Sequence, residues 1–291
     1  MTQINTSILS YPSRGNWGNA SYRGNCSGYV IKDLLETYQP KQFVEVFSGG
    51  GTGQGVAKTL GYQNSVHLDL LNGWNALTDE VPNSDFIFSH PPYWDIIKYE
   101  TQRHSYDKDD LSNVMSYPEF IVKLDRVNKK IYDSLSRGGH HAFLVGDVRK
   151  KGYYYSIIKD MTWFGDLESH IIKQQHNTVS GRKTYAKQFI AINHEHLLIF
   201  KKNSIFDVSL KYTKDFVEDL RAMVSTTWKN LIRASLEYLG GQANLNQVYQ
   251  LLDGCQKAQY NEHWQAKIRQ QLQDTTHFER VDSGTYRMIE S

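Results

Sequence analysis

The sequence predicts an α/β protein with a mostly parallel sheet and a small helical domain at the C-terminal end, on three observations. Short apolar runs at 42–47, 65–70, 85–89 and 141–145 alternate with stretches of helical spacing, as βαβ units do. Two more runs, a weaker one at 167–173 and an apolar one at 196–200, extend that series. Beyond 201–211 the pattern becomes helical and closes on a hairpin signature, so the chain divides into 1–203 and 204–291.

The run 42–47 ends in a glycine-rich turn, and Val56 and Leu60 then stand at i, i+4 on a helix. Residues 117–135 carry Phe120, Leu124, Val127, Ile131 and Leu135 at helical spacing, and Gly138 and Gly139 are read as the end of that helix. In the second part, Phe216, Leu220, Met223, Val224, Trp228, Leu231, Ile232, Leu236 and Leu239 read as helical up to Gly240 and Gly241. Helices at 246–252 and 262–272 follow, the latter with Trp264, Ile268 and Leu272 as its buried stripe. Alternation through 278–281, a turn at 282–284 and a return through 286–289 predict a β-hairpin.

Composition narrows the function classes. The 291 residues, 40% hydrophobic and 22% charged, suit a globular chain and exclude global disorder. The sequence has no apolar run long enough to span a bilayer, and 1–11 lack the basic-then-apolar order of a signal peptide, so a cytoplasmic protein is expected. Cys26 and Cys255 stand far apart, so neither a disulfide framework nor a cysteine zinc site is expected. Net charge is only +2, yet 1–32 carries Arg14, Arg23 and Lys32, and 171–193 carries Lys173, Arg182, Lys183 and Lys187, both without an acid. Such patches suit a polyanion bound on one face, or are ordinary solvated loops.

Two constellations carry chemistry. In the first, Glu45, Phe47, Ser48 and Gly49, Gly50, Gly51 follow a strand, where missing Cβ atoms let backbone approach a ligand. No Gly-Lys-Ser/Thr follows, which excludes a P-loop. Glu45 would oppose a phosphate but can pair with an ammonium, and Asp69 closes the next strand, where an acid can take both ribose hydroxyls or cap a turn. In the second, the apolar strand 85–89 runs into His90, Pro91, Pro92, Tyr93 and Trp94. The prolines fix the backbone and hold carbonyls outward, and the aromatics offer flat faces to a base.

Together these resemble the amino-methyltransferase family, the N6-adenine and N4-cytosine DNA methyltransferases. That family has an acid-x-Phe-x-Gly-x-Gly loop for S-adenosylmethionine and an Asp/Asn/Ser-Pro-Pro-Tyr/Phe catalytic loop. Glu45, Phe47, Gly49 and Gly51 match the first, and Pro91, Pro92 and Tyr93 the second. Stretches 22–28, 145–149 and 194–201 resemble it too, so the likeness covers about 7–202. The Pro-Pro-Tyr-Trp form is similar to phage-borne adenine methyltransferases of low sequence specificity.

The resemblance implies a Rossmann-like S-adenosylmethionine methyltransferase sheet with helices on both faces, acting on double-stranded DNA. Glu45, Phe47, Ser48, Gly49, Gly51, Asp69, Leu70 and Asn75 are then expected at the cofactor, with Trp74 beside its adenine. His90, Pro91, Pro92 and Tyr93 are expected at the methyl transfer, with Ser89 and Trp94 toward the target base. Arg182, Lys183 and Lys187 would grip phosphates. No metal and no membrane are expected, and oligomeric state stays open.

One position departs from the family. His90 stands where Asp, Asn or Ser is usual, with Ser89 before it. A conjugated amino group needs acceptors on its hydrogens to free its lone pair. Neutral His90, Ser89 or the Pro91 carbonyl can serve, and His90 is favoured. The 204–291 part resembles the winged helices of restriction-modification proteins, which puts Lys267 and Arg269 on the helix that enters a major groove, or else makes the domain a protein-binding one. Asp147 and Arg149 can be an ion pair or substrate contacts. An RNA or protein-glutamine methyltransferase, and a non-catalytic DNA-binding protein, remain alternatives.

Overall fold

The computed structural model describes residues 4–176, 178, 190–204, 206–213, 219–223 and 225–289. In chain order, β1 (Ile8–Ser10) and α1 (Gly28–Tyr38) precede β2 (Phe43–Val46), α2 (Thr52–Thr59) and β3 (Ser65–Leu68). A 3-10 turn, Leu70–Asn72, leads to β4 (Ser84–Ser89), α3 (Glu100–Arg103), α4 (Tyr117–Ser134) and β5 (Leu135–Val145). A short hairpin, β6 (Val148–Lys150) and β7 (Tyr153–Tyr155), is followed by α5 (Ile157–Asp160) and β8 (Trp163–Phe164). Then come β9 (Asp166–Gln174), β10 (His194–Lys201) and β11 (Leu210–Lys211).

Seven strands form one sheet in the order β1-β9-β10-β5-β4-β2-β3. The contacts β2–β3, β2–β4, β4–β5 and β1–β9 are parallel, and β10 runs antiparallel to both its neighbours. From β2 the chain steps to β3 on one side and returns to β4 on the other. That reversal opens a crevice beyond the carboxyl ends of β2 and β4, the place where open α/β sheets bind ligands.

The period-two alternation of the strands divides the core between the two faces. Val44, Val46, Ile87, Phe143, Val145 and Leu198 face α4, whose Phe120, Leu124, Val127 and Ile131 are all 0% exposed. Phe43, Phe86, Phe88, Leu144, Leu197 and Ile199 face the other way, onto Val30, Ile31, Leu34 and Leu35 of α1 and Val56 and Ala57 of α2. Helices therefore cover both faces. α4 starts cleanly because the Ser116 hydroxyl accepts from the Glu119 N–H, with a proline in the first turn. No described helix is long and apolar enough to cross a membrane.

Several elements differ from expectation. Gly138 and Gly139 do not terminate α4. The helix ends at Ser134, β5 begins at once, and both glycines lie inside it. Gly138 has φ of +80°, and a Cβ on Gly139 would stand 2.9 Å from the Ser136 carbonyl and 3.0 Å from the Asp85 carbonyl. The glycines thus permit a register irregularity against β4 between Ser84 and Phe86. Helix α1, capped by Ser27, and strands β1, β6, β7, β8 and β11 were not foreseen.

The chain separates into two compact units, residues 1–214 and 215–291, where the sequence places the division at 203/204. The difference arises because β11 pairs with β8 and so stays with the larger unit. In the smaller unit, α6 (Trp228–Tyr238), β12 (Gln242–Asn244), α7 (Leu245–Leu252), α8 (Gln256–Gln259) and α9 (Trp264–Leu272) lead to a hairpin, β13 (Phe278–Asp282) and β14 (Thr285–Met288). Its sheet has the order β12-β14-β13. Leu231, Ile232, Leu236, Val248, Leu252, Ile268, Leu272 and Phe278 form its core. Of the helical reading before Trp228, Phe216 and Val224 lie outside the described residues; among the described ones the chain turns through Leu220, Arg221 and Ala222, and α6 starts only where the Thr227 hydroxyl accepts from the Asn230 N–H.

Candidate functional site

The crevice at the sheet reversal holds a cavity of about 710 Å³, counted with its open mouth. Its walls include Glu45, Phe47, Ser48, Gly49 and Thr52 after β2, Asp69, Leu70, Trp74 and Ala76 after β3, and His90 and Pro92 after β4. Tyr22, Gly24, Asn25 and Cys26 approach from the N-terminal segment, and Tyr99, Arg103, Asp109, Asp110 and Leu111 from the segment after the proline loop.

The glycine loop is shaped by protein contacts as much as by the space beside it. Gly49 and Gly51 have φ of +47° and +78°, and Phe47 has φ of +65°. A Cβ on Gly49 would lie 2.8 Å from the Tyr22 ring, and one on Gly50 would lie 2.8 Å from Tyr22 and 2.9 Å from Asn25 Oδ1. The Asn19 N–H donates to the Gly50 carbonyl at 2.7 Å. The N-terminal segment therefore packs directly onto the loop. Gly51 lies outside the cavity wall, and the nearest atom to an added Cβ there is Gln54 Oε1 at 3.6 Å. Its glycine permits the left-handed conformation that starts α2.

The acids of the cavity have protein partners. Glu45 Oε2 meets His67 Nδ1 at 2.6 Å, and the Gly53 N–H also bonds to its carboxylate. Burial pushes the Glu45 carboxyl up, against the pull of both donors. Asp69 accepts the Gly49 N–H at 2.8 Å through Oδ2 and the Leu71 N–H at 2.8 Å through Oδ1. The turn-capping role considered for Asp69 is thus present, and the residue still borders the cavity. Arg103 and Asp110 form a buried ion pair at 2.6 Å.

Asn75 is held by hydrogen bonds to protein groups. Its side chain accepts from the Leu77 N–H and donates to Asp109, while its neighbours Trp74 and Ala76 form the wall.

A second, wider cleft lies on the other side of His90. Pro91, Tyr93, Gly146, Asp147, His194 and Glu195 line it, with Arg23, Arg149 and Lys151 as its cations. His90, Gly24, Asn25 and Tyr99 wall both cavities. His90 is tied to β2 by its N–H, which donates to the Val46 carbonyl at 3.3 Å.

Hydrogen bonding assigns the His90 proton. Tyr93 Oη lies 2.6 Å from Glu195 Oε1, and Lys173 Nζ lies 2.7 Å from Glu195 Oε2. Burial opposes ionisation of Glu195, yet Lys173 and the other donors hold its carboxyl below the ordinary range. A carboxylate only accepts, so the Tyr93 hydroxyl hydrogen points to Glu195. His90 Nε2, 2.8 Å from the same hydroxyl oxygen, must therefore donate. In neutral imidazole this leaves Nδ1 with a lone pair. Burial holds the His90 pKa down at about 4, with Lys173 adding to the effect and Glu195 opposing it, so the ring is neutral near pH 7.

Ser89 and Trp94 do not belong to the cleft. Ser89 is 0% exposed, and its side chain faces α4 by strand alternation, with its hydroxyl 2.7 Å from His141 Nε2. Trp94 is 7% exposed, donates to the Met115 carbonyl at 2.9 Å, and lies edge-on to Tyr117 and Tyr155 under the Lys150 ammonium. It is a core residue. Arg182, Lys183 and Lys187 lie outside the described residues. Lys267 and Arg269 are exposed on α9, where Arg269 donates to Tyr249 Oη at 3.0 Å and Lys267 to Gln270 Oε1 at 3.1 Å. Asp147 accepts from Tyr154 Oη at 2.7 Å and lies 3.3 Å from His196 Nε2.

Sequence reasoning missed Glu195, Lys173 and Tyr99. The alternation of β10 could have flagged Glu195, a charged side chain on a face otherwise occupied by Leu197 and Ile199.

No protein-family model and no curated protein matches the chain. Among solved structures, a Thermus thermophilus protein described as a DNA modification methylase, complexed with S-adenosyl-L-methionine, is 18% identical, with 60% of this chain and 59% of that one covered and a TM-score of 0.28. Another structure of that protein is 16% identical, with 60% and 57% covered and a TM-score of 0.29. TehB from Haemophilus influenzae is 13% identical, with 60% and 62% covered and a TM-score of 0.30. The chain spans about three fifths of the length of these proteins.

Proposed function

We propose that this chain is an S-adenosylmethionine-dependent methyltransferase acting on the exocyclic amino nitrogen of a base in double-stranded DNA, adenine N6 before cytosine N4. The observation that carries the reading is the position of His90. It stands between the first cavity and an open cleft, with Nε2 committed to Tyr93 and Nδ1 left as an acceptor.

The first cavity fits this cofactor by its charge. Glu45, Asp69, Asp109 and Asp110 border it against the guanidinium of Arg103. Such a wall repels the phosphates of a nucleotide cofactor and suits a ligand bearing a sulfonium and an ammonium. Glu45 would hold the ammonium end. Asp69, whose oxygens each keep a lone pair beyond their backbone bonds, would take ribose hydroxyls, with Leu70 and Trp74 against the adenine. When bound, S-adenosylmethionine supplies an electrophilic methyl group.

The chain's own residues prepare the nucleophile. The lone pair of a purine amino group is delocalised into the ring, and acceptors on its hydrogens favour the pyramidal form that releases it. His90 Nδ1 and the Pro91 carbonyl serve as those acceptors, and Pro91 and Pro92 fix the loop that presents them. The Tyr93 ring, packed against Gly146, offers a wall of the cleft to a base that has left the duplex. Arg23, Arg149 and Lys151 border the same cleft and suit phosphates. The smaller unit runs helix, strand, helices and hairpin, with β14 joining β12, an order that supports a winged helix. Lys267 and Arg269 would then reach DNA.

Nucleoside mass spectrometry of plasmid DNA incubated with the protein and S-adenosylmethionine tests the proposal. N6-methyladenine is the expected product. N4-methylcytosine would move the target to the other amino base, methylation of RNA or protein alone would reject DNA, and cofactor binding without turnover on any of them would reject an enzyme.

A further inference from the structure

We propose that Asp147, His194 and His196 form a binding site for one divalent transition cation of the zinc type. This rests on their own geometry and stands or falls apart from the methyltransferase reading.

The sheet brings the three together. β10 pairs antiparallel with β5, with His196 opposite Val145. Continuing that register by two residues sets His194 across from Asp147, just past the end of β5. His194 and His196, two apart on one strand, point to the same face. Their candidate ligand atoms and a carboxylate oxygen of Asp147 all lie within 4.8 Å of one another. Two imidazoles on one strand and one carboxylate just past the end of its neighbour give the ligand number of an open tetrahedral site, with the fourth position left for water or another oxygen.

The spacing also accommodates an ion. His196 Nε2 is 3.3 Å from Asp147 Oδ2. A charge-assisted hydrogen bond closes to about 2.7–2.9 Å. Bonds of roughly 2.0–2.2 Å to a tetrahedral ion set neighbouring donors about 3.3–3.5 Å apart. The His194 ring meets His196 edge-on at 4.9 Å between centroids.

The surrounding groups aim the ligands. His170 Nε2 lies 3.0 Å from His196 Nδ1, which leaves Nε2 directed at Asp147. Tyr154 Oη donates to Asp147 Oδ2, and the Ile157 N–H holds Oδ1 at 3.1 Å. A histidine ligand whose second nitrogen is hydrogen-bonded, beside a carboxylate held by its own donors, is the arrangement metal sites use to fix ligand orientation. Asp147 and His194 border the cleft beside His90, so the open position faces its solvent.

Isothermal titration of the chelator-treated full chain with zinc chloride tests this, followed by cobalt(II) substitution and visible spectroscopy. One equivalent of zinc and the absorption of tetrahedral cobalt are expected. His194→Gln and Asp147→Asn should each weaken binding at least a hundredfold, and His170→Gln should weaken it about 10- to 100-fold with the stoichiometry kept. Far-UV circular dichroism checks that the variants stay folded, and His194→Gln, at a half-buried strand end, is the variant that decides. No zinc binding by the wild-type chain, or an unchanged equivalent in folded His194→Gln, overturns the site.

Discussion

The Tyr93 hydroxyl donates to Glu195 at 2.6 Å, and that one bond decides which nitrogen of His90 carries its proton. Lys173 on the far side of Glu195 keeps the carboxylate ionised and so keeps the chain of donors pointing one way.

Glu195→Gln should reverse that chain. The new amide turns its oxygen to Lys173 and its NH₂ to Tyr93, so the Tyr93 hydroxyl must donate to His90 Nε2. The proton moves to Nδ1 and the acceptor is lost. Turnover should fall about a hundred- to a thousandfold, as on losing one transition-state hydrogen bond, with cofactor affinity little changed. Long-range nitrogen–proton NMR of labelled histidine reads the tautomer directly, and an Nε2–H ring in the variant would refute the assignment.

Acid should destabilise the fold before it switches His90. Burial lowers His90 from 6.5 to about 4 and His141 to about 3. Between those values and 6.5 the unfolded chain binds protons that the folded one does not, so stability falls as pH drops through that window. Around His90 stand the Glu195 carboxylate, the Lys173 ammonium and the Tyr93 hydroxyl, and none of them restores its ordinary value. Single-turnover rates should therefore show no loss near pH 6.5 from protonation of His90. An acid limb near 6.5 that disappears in His90→Gln would contradict this.

Two glycines should respond differently. A Cβ on Gly53 would stand 2.3 Å from the Glu45 carboxylate, whereas one on Gly51 meets nothing nearer than 3.6 Å. Gly53→Ala should displace Glu45 and abolish S-adenosylmethionine binding in calorimetry. Gly51→Ala should mainly cost about 1–2 kcal/mol of stability through its left-handed backbone. Equal losses of affinity in both would show that the glycine loop works in some other way.

The Arg103–Asp110 pair lies within the cavity wall, with side chains 5% and 3% exposed. Arg103→Ala leaves a buried carboxylate unpaired and should cost about 3–5 kcal/mol. Arg103→Met with Asp110→Leu should recover most of it. Denaturant unfolding of the single and double variants measures the difference, and a single variant as stable as the parent would place Asp110 in contact with water.

Methylation should occur in many sequence contexts. Arg23, Arg149 and Lys151 suit phosphates, which carry no sequence information, and binding should weaken steeply with salt. Sequencing modified bases in a methylated plasmid decides this. Modification confined to one short motif at high enzyme would reject it and point to α9 as the reader.

Much was legible in the sequence because hydrophobic periodicity is a local property. The strands β2, β3, β4 and β10, the long helix α4 and the C-terminal hairpin follow from spacing alone. So do the loops after β2 and β4, whose Gly and Pro residues mark where the backbone must turn or stiffen. The direction of a side chain at a strand end is not local. Ser89 and His90 are adjacent, yet alternation buries Ser89 against His141 and leaves His90 between two cavities. Glu195, Lys173 and Tyr93 become one hydrogen-bonded chain only because β10 lies between β5 and β9. The same strand insertion sets Asp147 beside His194 and His196. Composition and pattern determined which residue types this protein holds and where its chain turns. Strand order and register, which are set by packing between distant segments, decided which of those residues meet.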